Sequence, residues 1–410
     1  MLATVLAILS MVGFYAVPVR ADQLFVTPAP FGSAAAVDNA GNLIVVGSSE
    51  PFSNGESQEF MFKFVSSLPD SPLSQRACMQ TFGNGEPLDT FGYGVATDSS
   101  NNIYVTGTTQ TFGGEDYDVF VQKFTSSCNL LYTLQWGGPG NDIPRGIAVD
   151  GEDNVYVAGT TNSFSNGYNQ IFLIKYGPEG ELLFSSQWGG VRNDYGAGLA
   201  VDPFGNVYVV GTTTSYGTGG SSSIVLLKYD SFGNLLFQRT LGGPLNSFGA
   251  GVAVDTAGYV YVTGYSYSLG PTPGISAVVL LKYDQAGNLV FQKTWGGTLD
   301  DFATGIAVDL DDNIYLVGYT KTFSISPDIP SAFFLKFDQN GTLILQKIWG
   351  GNRPDYAFGV AVDNSENAYV TGYTYSFGPN AQGASFFVLK YDVTGTLLYQ
   401  KLYGGGIPDP

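Results

Sequence analysis

Aspartates at two repeating positions are the side chains of this chain best placed to do chemistry. One set comprises Asp38, Asp98, Asp150, Asp202, Asp255, Asp309 and Asp363, at successive spacings of 60, 52, 52, 53, 54 and 54 residues. The other lies eight residues earlier, at Asp142, Asp194, Asp301 and Asp355, with Thr90 and Ser247 at the same place in two further units. Carboxylates at equivalent points of a repeat can converge on a cation such as calcium or on ligand hydroxyls. A pair about 5–10 Å apart across a cleft would suit glycoside hydrolysis. Each candidate also has a local explanation. An Asp that ends a strand and precedes a short turn, as in Asp-Gly-Glu-Asp-Asn at 150–154, accepts backbone N–H groups of that turn. The first set is therefore read as structural turn aspartates. The second falls on connecting segments, so Asp142, Asp194, Asp301 and Asp355 are expected around one mouth of a central channel, as ligand groups or as caps of their own strands.

Other chemistry is bounded by composition. With no histidine, Ser-His-Asp and Cys-His catalysis and His-ligated zinc or iron are excluded. Cys78 and Cys128 are too few for a disulfide framework or a four-thiolate site; one bridge and two buried free thiols are both open. A formal charge of −18, from 17 Lys+Arg against 35 Asp+Glu, disfavours nucleic acid and anionic lipid surfaces as partners. No catalytic constellation, resident cofactor or defined metal site follows; calcium is the one cation the acidic loops would suit.

The elements that must position these residues follow from the unit itself. In residues 195–243, Gly-Leu-Ala-Val-Asp at 198–202 turns through Pro-Phe-Gly-Asn into Val-Tyr-Val-Val-Gly at 207–211. A loop leads to Ile-Val-Leu-Leu-Lys-Tyr-Asp at 224–230, and a Gly-Asn turn to Leu-Leu-Phe-Gln-Arg-Thr-Leu at 235–241. Four β-rich runs parted by Asp, Gly and Asn predict a four-stranded antiparallel meander. The first run repeats Gly and Ala, as at 94 and 96, 146 and 148, and 251 and 253, which suits strands crowded around an axis. The second is bulky and β-branched, as buried strands are. The fourth alternates with polar residues, as outer edges do. Trp136, Trp188, Trp295 and Trp349, exchanged for Phe82, Leu241 and Tyr403 elsewhere, are expected in the core. Seven such units predict an all-β chain folded as a seven-bladed β-propeller of four-stranded antiparallel blades, each complete in sequence.

The recurrent string Gly-Ile/Val-Ala-Val-Asp, Gly/Asp-Asn, Val-Tyr-Val-Thr-Gly-Thr-Thr, Lys-Tyr-Asp and Trp-Gly-Gly resembles the SBBP repeat, and more distantly NHL-type propeller repeats. The resemblance covers residues 31–405 and implies an exported or surface protein of bacterial or archaeal type, without a catalytic motif to carry over. Residues 1–21, an apolar run ending in Val-Arg-Ala, read as a secretory signal peptide or N-terminal anchor, leaving 22–410 as a single propeller. Asn340-Gly-Thr342 is a glycosylation sequon on a turn.

Loops between the second and third strands vary most and carry aromatics: Phe52, Phe112, Phe164, Tyr216, Tyr267, Phe323 and Phe377. These either wedge between blades or present a surface for a sugar ring or a protein. The expectation is a secreted or cell-surface module that binds a protein or glycan partner through its loop face. The alternatives are a carbohydrate-active enzyme using carboxylates at the mouth and a self-associating surface lattice.

Overall fold

The structure, a computed structural model, describes residues 31–49, 58–64, 76–82, 90–110, 116–165, 167–378 and 384–404. The proposed leader, Phe52 and Phe112 lie outside them. The described strands form seven four-stranded antiparallel sheets, spanning 31–82, 90–136, 142–188, 194–241, 247–295, 301–349 and 355–404, numbered here blades 1 to 7. Every blade is a meander of consecutive strands. The chain is therefore an all-β, seven-bladed propeller, and among the described residues no strand is exchanged between its ends.

The ring closes by packing. Leu43, Val45, Phe60 and Phe62 of blade 1 share a buried cluster with Tyr369, Phe386 and Val388 of blade 7. Similar clusters of β-branched and aromatic side chains from the second and third strands lie between the other blades. This is why those strands are apolar on both faces: a blade is covered on both sides. The fourth strands alternate instead, leaving pairs such as Leu130–Leu131 and Leu182–Leu183 exposed on the rim.

Each turn aspartate is held by its own turn. The Oδ1 of Asp202 accepts the N–H groups of Phe204 (2.9 Å) and Asn206 (2.8 Å), and its Oδ2 accepts the Asn206 amide (2.7 Å) and the Tyr208 hydroxyl (3.2 Å). Asp309 repeats this arrangement, with the Tyr315 hydroxyl at 2.7 Å. The third-strand lysine that precedes a Tyr or Phe forms a link of another kind. Lys63, Lys123, Lys175, Lys228 and Lys282 each donate from Nζ to a turn carbonyl of the next blade: Ser126, Pro178, Ser231, Gln285 and Gln339, at 2.9–3.1 Å. A buried lysine thus staples each of these blades to its neighbour, and ion pairs such as Lys63–Asp38 (2.9 Å) offset its desolvation.

Cys128 sits in the turn between the third and fourth strands of blade 2, with φ +66 where Gly180, Gly233 and Gly287 stand in other blades. It packs against Ile44 and Met61 of blade 1 and is disulfide-bonded. The sequence holds one other cysteine, Cys78 in the fourth strand of blade 1. Of the two states left open by the sequence it is the bridge that forms, and the Lys63–Ser126 staple draws the blade 2 turn onto blade 1.

Candidate functional site

The first strand of every blade carries a β-bulge, and the bulges build the wall of the channel. The register slips between Gly92 and Gly94, Gly196 and Gly198, Gly249 and Gly251, Ala303 and Gly305, and Ala357 and Gly359, with equivalent slips in blades 1 and 3. The strand register skips positions 33, 93, 145, 197, 250, 304 and 358. A bulge re-aims a side chain; six of these residues, from Tyr93 to Phe358, line a channel cavity of about 790 Å³. The glycine opposite each bulge in the second strand makes it possible. A Cβ on Gly107, Gly159, Gly211, Gly264, Gly318 or Gly372 would lie only 1.9–2.2 Å from a first-strand carbonyl oxygen. Followed by a glycine in blades 2–7, the bulge residue is the least repetitive of the strand: Tyr93, Arg145, Ala197, Ala250, Thr304 and Phe358 put five kinds of side chain on one frame.

At the mouth the ring is lopsided. Second strands end Gly-Thr-Thr in blades 2, 3 and 4, and Gly-Tyr-Ser or Gly-Tyr-Thr in blades 5, 6 and 7. The three added tyrosines interleave with first-strand aromatics in one belt. Ring centroids follow at 4.9 Å (Phe248–Tyr265), 4.8 Å (Tyr265–Phe302), 4.9 Å (Phe302–Tyr319), 4.8 Å (Tyr319–Tyr356) and 5.0 Å (Tyr356–Tyr373). Tyr267 extends the belt upward from blade 5. Burial raises the phenol pKa of Tyr265 and Tyr319, and their neighbouring tyrosines raise it further, so these hydroxyls stay neutral donors and acceptors.

Four charged groups join this lining: Asp300, Lys321, Asp328 and, deeper, Arg145, whose guanidinium lies 4.8 Å over the Tyr93 ring. Asp300 is informative because its counterparts in blades 3, 4 and 5 are amides. Asn141, Asn193 and Asn246 each accept a backbone N–H across the connection with Oδ1, from Tyr117 (3.1 Å), Asn169 (2.9 Å) and Ser222 (3.0 Å). Asp300 does the same for Ser276 (3.0 Å). An amide meets the structural need, so the negative charge at Asp300 is an addition.

The four aspartates expected at the mouth are elsewhere. Asp142, Asp194, Asp301 and Asp355 begin their first strands fully buried and are absent from the channel lining. Their carboxylates turn back into their own blades. Asp194 accepts from Thr213 Oγ1 (2.6 Å), Ser215 Oγ (2.7 Å) and Gly190 N (2.8 Å). Asp301 is held likewise by Thr320, Thr322 and Gly297, and Asp355 by Thr374, Ser376 and Gly351. Asp142 accepts from Ser163 and Gly138. The first position of the strand faces the end of the second strand, where the terminal Thr stands, and so cannot point at the axis. No cluster of three or more potential metal-binding side chains occurs among the described residues.

The loop aromatics divide. Phe164, Tyr216, Phe323 and Phe377 pack on Trp136, Trp188, Trp295 and Trp349 of the preceding blade, at 4.8–5.1 Å between centroids. Tyr267 does not belong with them. In blade 5 the wedge position is Leu269, which packs beside Leu241 in place of the ring–Trp pair, and Tyr267 stands two residues earlier, at the mouth. The same position holds Asn162 and Thr214 in blades 3 and 4, but Lys321 and Tyr375 in blades 6 and 7. The loops lie over the inter-blade connections, as the N–H of Tyr267 to Asn246 O (3.0 Å) and of Lys321 to Asp300 O (3.0 Å) shows. The change from Gly-Thr to Gly-Tyr in three consecutive units is the signal in the sequence that marks this face.

A closed ring of seven four-stranded blades made from one repeated unit defines a β-propeller repeat protein. The unit is the SBBP β-propeller repeat, matched at residues 82–113, 131–167, 183–217, 237–271, 295–322 and 348–378, and the chain belongs to that family. It is 26% identical over 68% of its length to an uncharacterized WD repeat-containing protein, L264, of Acanthamoeba polyphaga mimivirus. It is 33% identical over 25% of its length to the regulatory protein FlaEY of Caulobacter vibrioides. The matches span 24% and 12% of those proteins. Among solved structures, the β-propeller domain of the Trilobed protease from Pyrococcus furiosus is similar, with TM-score 0.53, 8% identity, and 92% of this chain and 97% of that one covered. At that identity the likeness is one of fold.

Proposed function

We propose that this protein is an exported or cell-surface propeller that acts as a binding module, holding its partner at the channel mouth over blades 5–7. The observation that carries the reading is the lopsided mouth. Rings, neutral phenols and the charge of Asp300 converge on one concavity, while blades 3 and 4 hold threonine (Thr160, Thr212) at the Tyr319 position and asparagine (Asn141, Asn193) at the Asp300 position. A concave, largely apolar site with a few convergent polar groups is where ligands bind. The disulfide at Cys128 supports an oxidising compartment, and so does the apolar leader. Its N-terminal part is tested by mass spectrometry of the protein made with its leader, where cleavage after Ala21 gives Asp22 as the first residue. Its binding part is tested by comparing wild type with an Asp300→Asn/Tyr319→Thr double variant, which installs the residues of blades 3 and 4. Immobilised on beads, the wild type retains a surface component that the folded variant releases. Equal retention by both would overturn the assignment of the mouth.

A further inference from the structure

We infer that the ligand at this mouth is the end of a neutral oligosaccharide, an inference that rests on the binding reading above and deepens it. Three properties of the lining select this chemistry. The first is the pairing of ring faces with hydroxyls. Phe302, Tyr319, Tyr356 and Phe358 are only half-buried, so parts of their rings face the cavity. Sugars carry C–H patches that pack on aromatic faces and hydroxyls that need donors and acceptors, which tyrosine offers at one rigid site. The second is charge. Asp300 and Asp328 balance Lys321 and Arg145 on the lining, so the cavity has no net sign with which to draw in a polyanionic or polycationic ligand. Its individual charges still make strong hydrogen bonds, a carboxylate to paired sugar hydroxyls being among them. The third is shape. A cavity of about 790 Å³ falls in the roughly 300–1,000 Å³ range of small-molecule sites, whereas protein partners take broad surfaces.

The blade 6 carboxylate gives the inference a clean test. Asp300→Asn installs the residue of blades 3–5, which makes the same backbone bond, so the fold is retained. Tyr319→Phe removes a hydroxyl and keeps the ring. Calorimetric titration of the disulfide-intact protein would use neutral gluco-, galacto- and manno-configured tri- to hexasaccharides. Polygalacturonate oligomers and choline serve as the anionic and cationic arms. The expected result is saturable binding of a neutral saccharide, weakened about tenfold or more in each variant, with unchanged melting temperature. Preference for either charged arm would overturn the inference, as would neutral-saccharide affinity equal in wild type and both variants. Absence of saccharide binding at millimolar concentration would also overturn it. The broader reading is judged separately: a protein ligand lost in Asp300→Asn would leave the mouth a binding site for another class of partner, and no partner sensitive to the mouth would remove both.

Discussion

In blades 3 and 4 the residue after the second-strand glycine is a threonine with a structural task. Thr160 accepts the N–H of Gly196 in the next blade (3.1 Å), and Thr212 accepts that of Gly249 (3.2 Å). In blades 5, 6 and 7 that residue is Tyr265, Tyr319 or Tyr373, and the polar atom moves to the far side of a ring that joins the belt at the mouth. Below this level the two halves are alike, with the same bulge, the same turn aspartate and, in blades 3, 4, 6 and 7, the same buried first-strand aspartate. The frame is therefore what repeats, and the aromatic belt is what three blades add to it.

The largest expected effect tests the sameness of the frame. Asp194→Ala in blade 4 and Asp355→Ala in blade 7 each strand buried hydroxyls and a glycine N–H, so each should cost about 3 kcal/mol. Denaturant unfolding should find the two costs equal within error. A much smaller loss in blade 7 would mean that its aspartate is kept for something other than the frame.

Next in size is a departure within blade 1. Glu59 stands where other blades have Val119, Ile171, Ile224 and Val278, fully buried and with neither carboxyl oxygen hydrogen-bonded among the described residues. Burial pushes its carboxyl well above the usual range. Glu59→Val should stabilise the protein by roughly 2 kcal/mol at neutral pH. The gain should grow as pH rises above the glutamate's unfolded value of 4.5, because a raised folded pKa gives stability that is lost as the group is forced to ionise. Melting curves across pH check this; a destabilised variant would show that the carboxyl is held by a partner.

Why the sequence shows the frame so fully and the site only in part follows from these residues. Seven aspartates at near-constant spacing, each with its Gly/Asn turn, specify the hairpins locally and therefore the blades. The bulge is invisible to a period-two reading, since one extra residue such as Arg145 merely shifts the apparent alternation. Asp142, Asp194, Asp301 and Asp355 look like connecting segments because the Gly-Ile/Val-Ala-Val-Asp string begins only after the bulge, whereas the strands start with them and they face their own second strands. The lysine staples connect positions about 55 residues apart through backbone carbonyls, which carry no sequence signature. The tyrosines of blades 5–7 are in plain view as Gly-Tyr, but only the assembled ring shows that three consecutive units place them side by side.

A pair of hydroxyl deletions sharpens the contrast at a smaller scale. Thr212→Val keeps the shape and leaves the buried Gly249 N–H unpaired, so it should cost about 1 kcal/mol and leave ligand affinity unchanged. Tyr319→Phe should show the reverse: weaker binding with little change in unfolding midpoint. If both variants lose stability alike and neither loses affinity, the two halves of the mouth do the same work and the comparison fails.

The smallest effect concerns pH, and again asks whether the halves agree. Burial raises the carboxyl pKa of Asp142 in blade 3 and Asp355 in blade 7 above 3.8, against the lowering effect of their hydroxyl partners. A folded pKa above the unfolded one means that the native state holds its proton longer. The associated stability is present below 3.8 and is lost as pH rises through the folded value. Replacement by Asn abolishes the titration, so the stability difference between wild type and either variant should move against wild type as pH rises through that window. Exposed Asp338 supplies the opposite sign: hydrogen bonds from the backbone of Thr342 and of Asn340 lower its pKa, so its contribution is present above 3.8 and fades as pH falls. Denaturant midpoints for Asp142→Asn, Asp355→Asn and Asp338→Asn between acid and neutral pH should therefore slope together for the first two and oppositely for the third. Slopes of opposite sign for Asp142 and Asp355 would break the equivalence of the two halves at the level where the frame is expected to be most uniform.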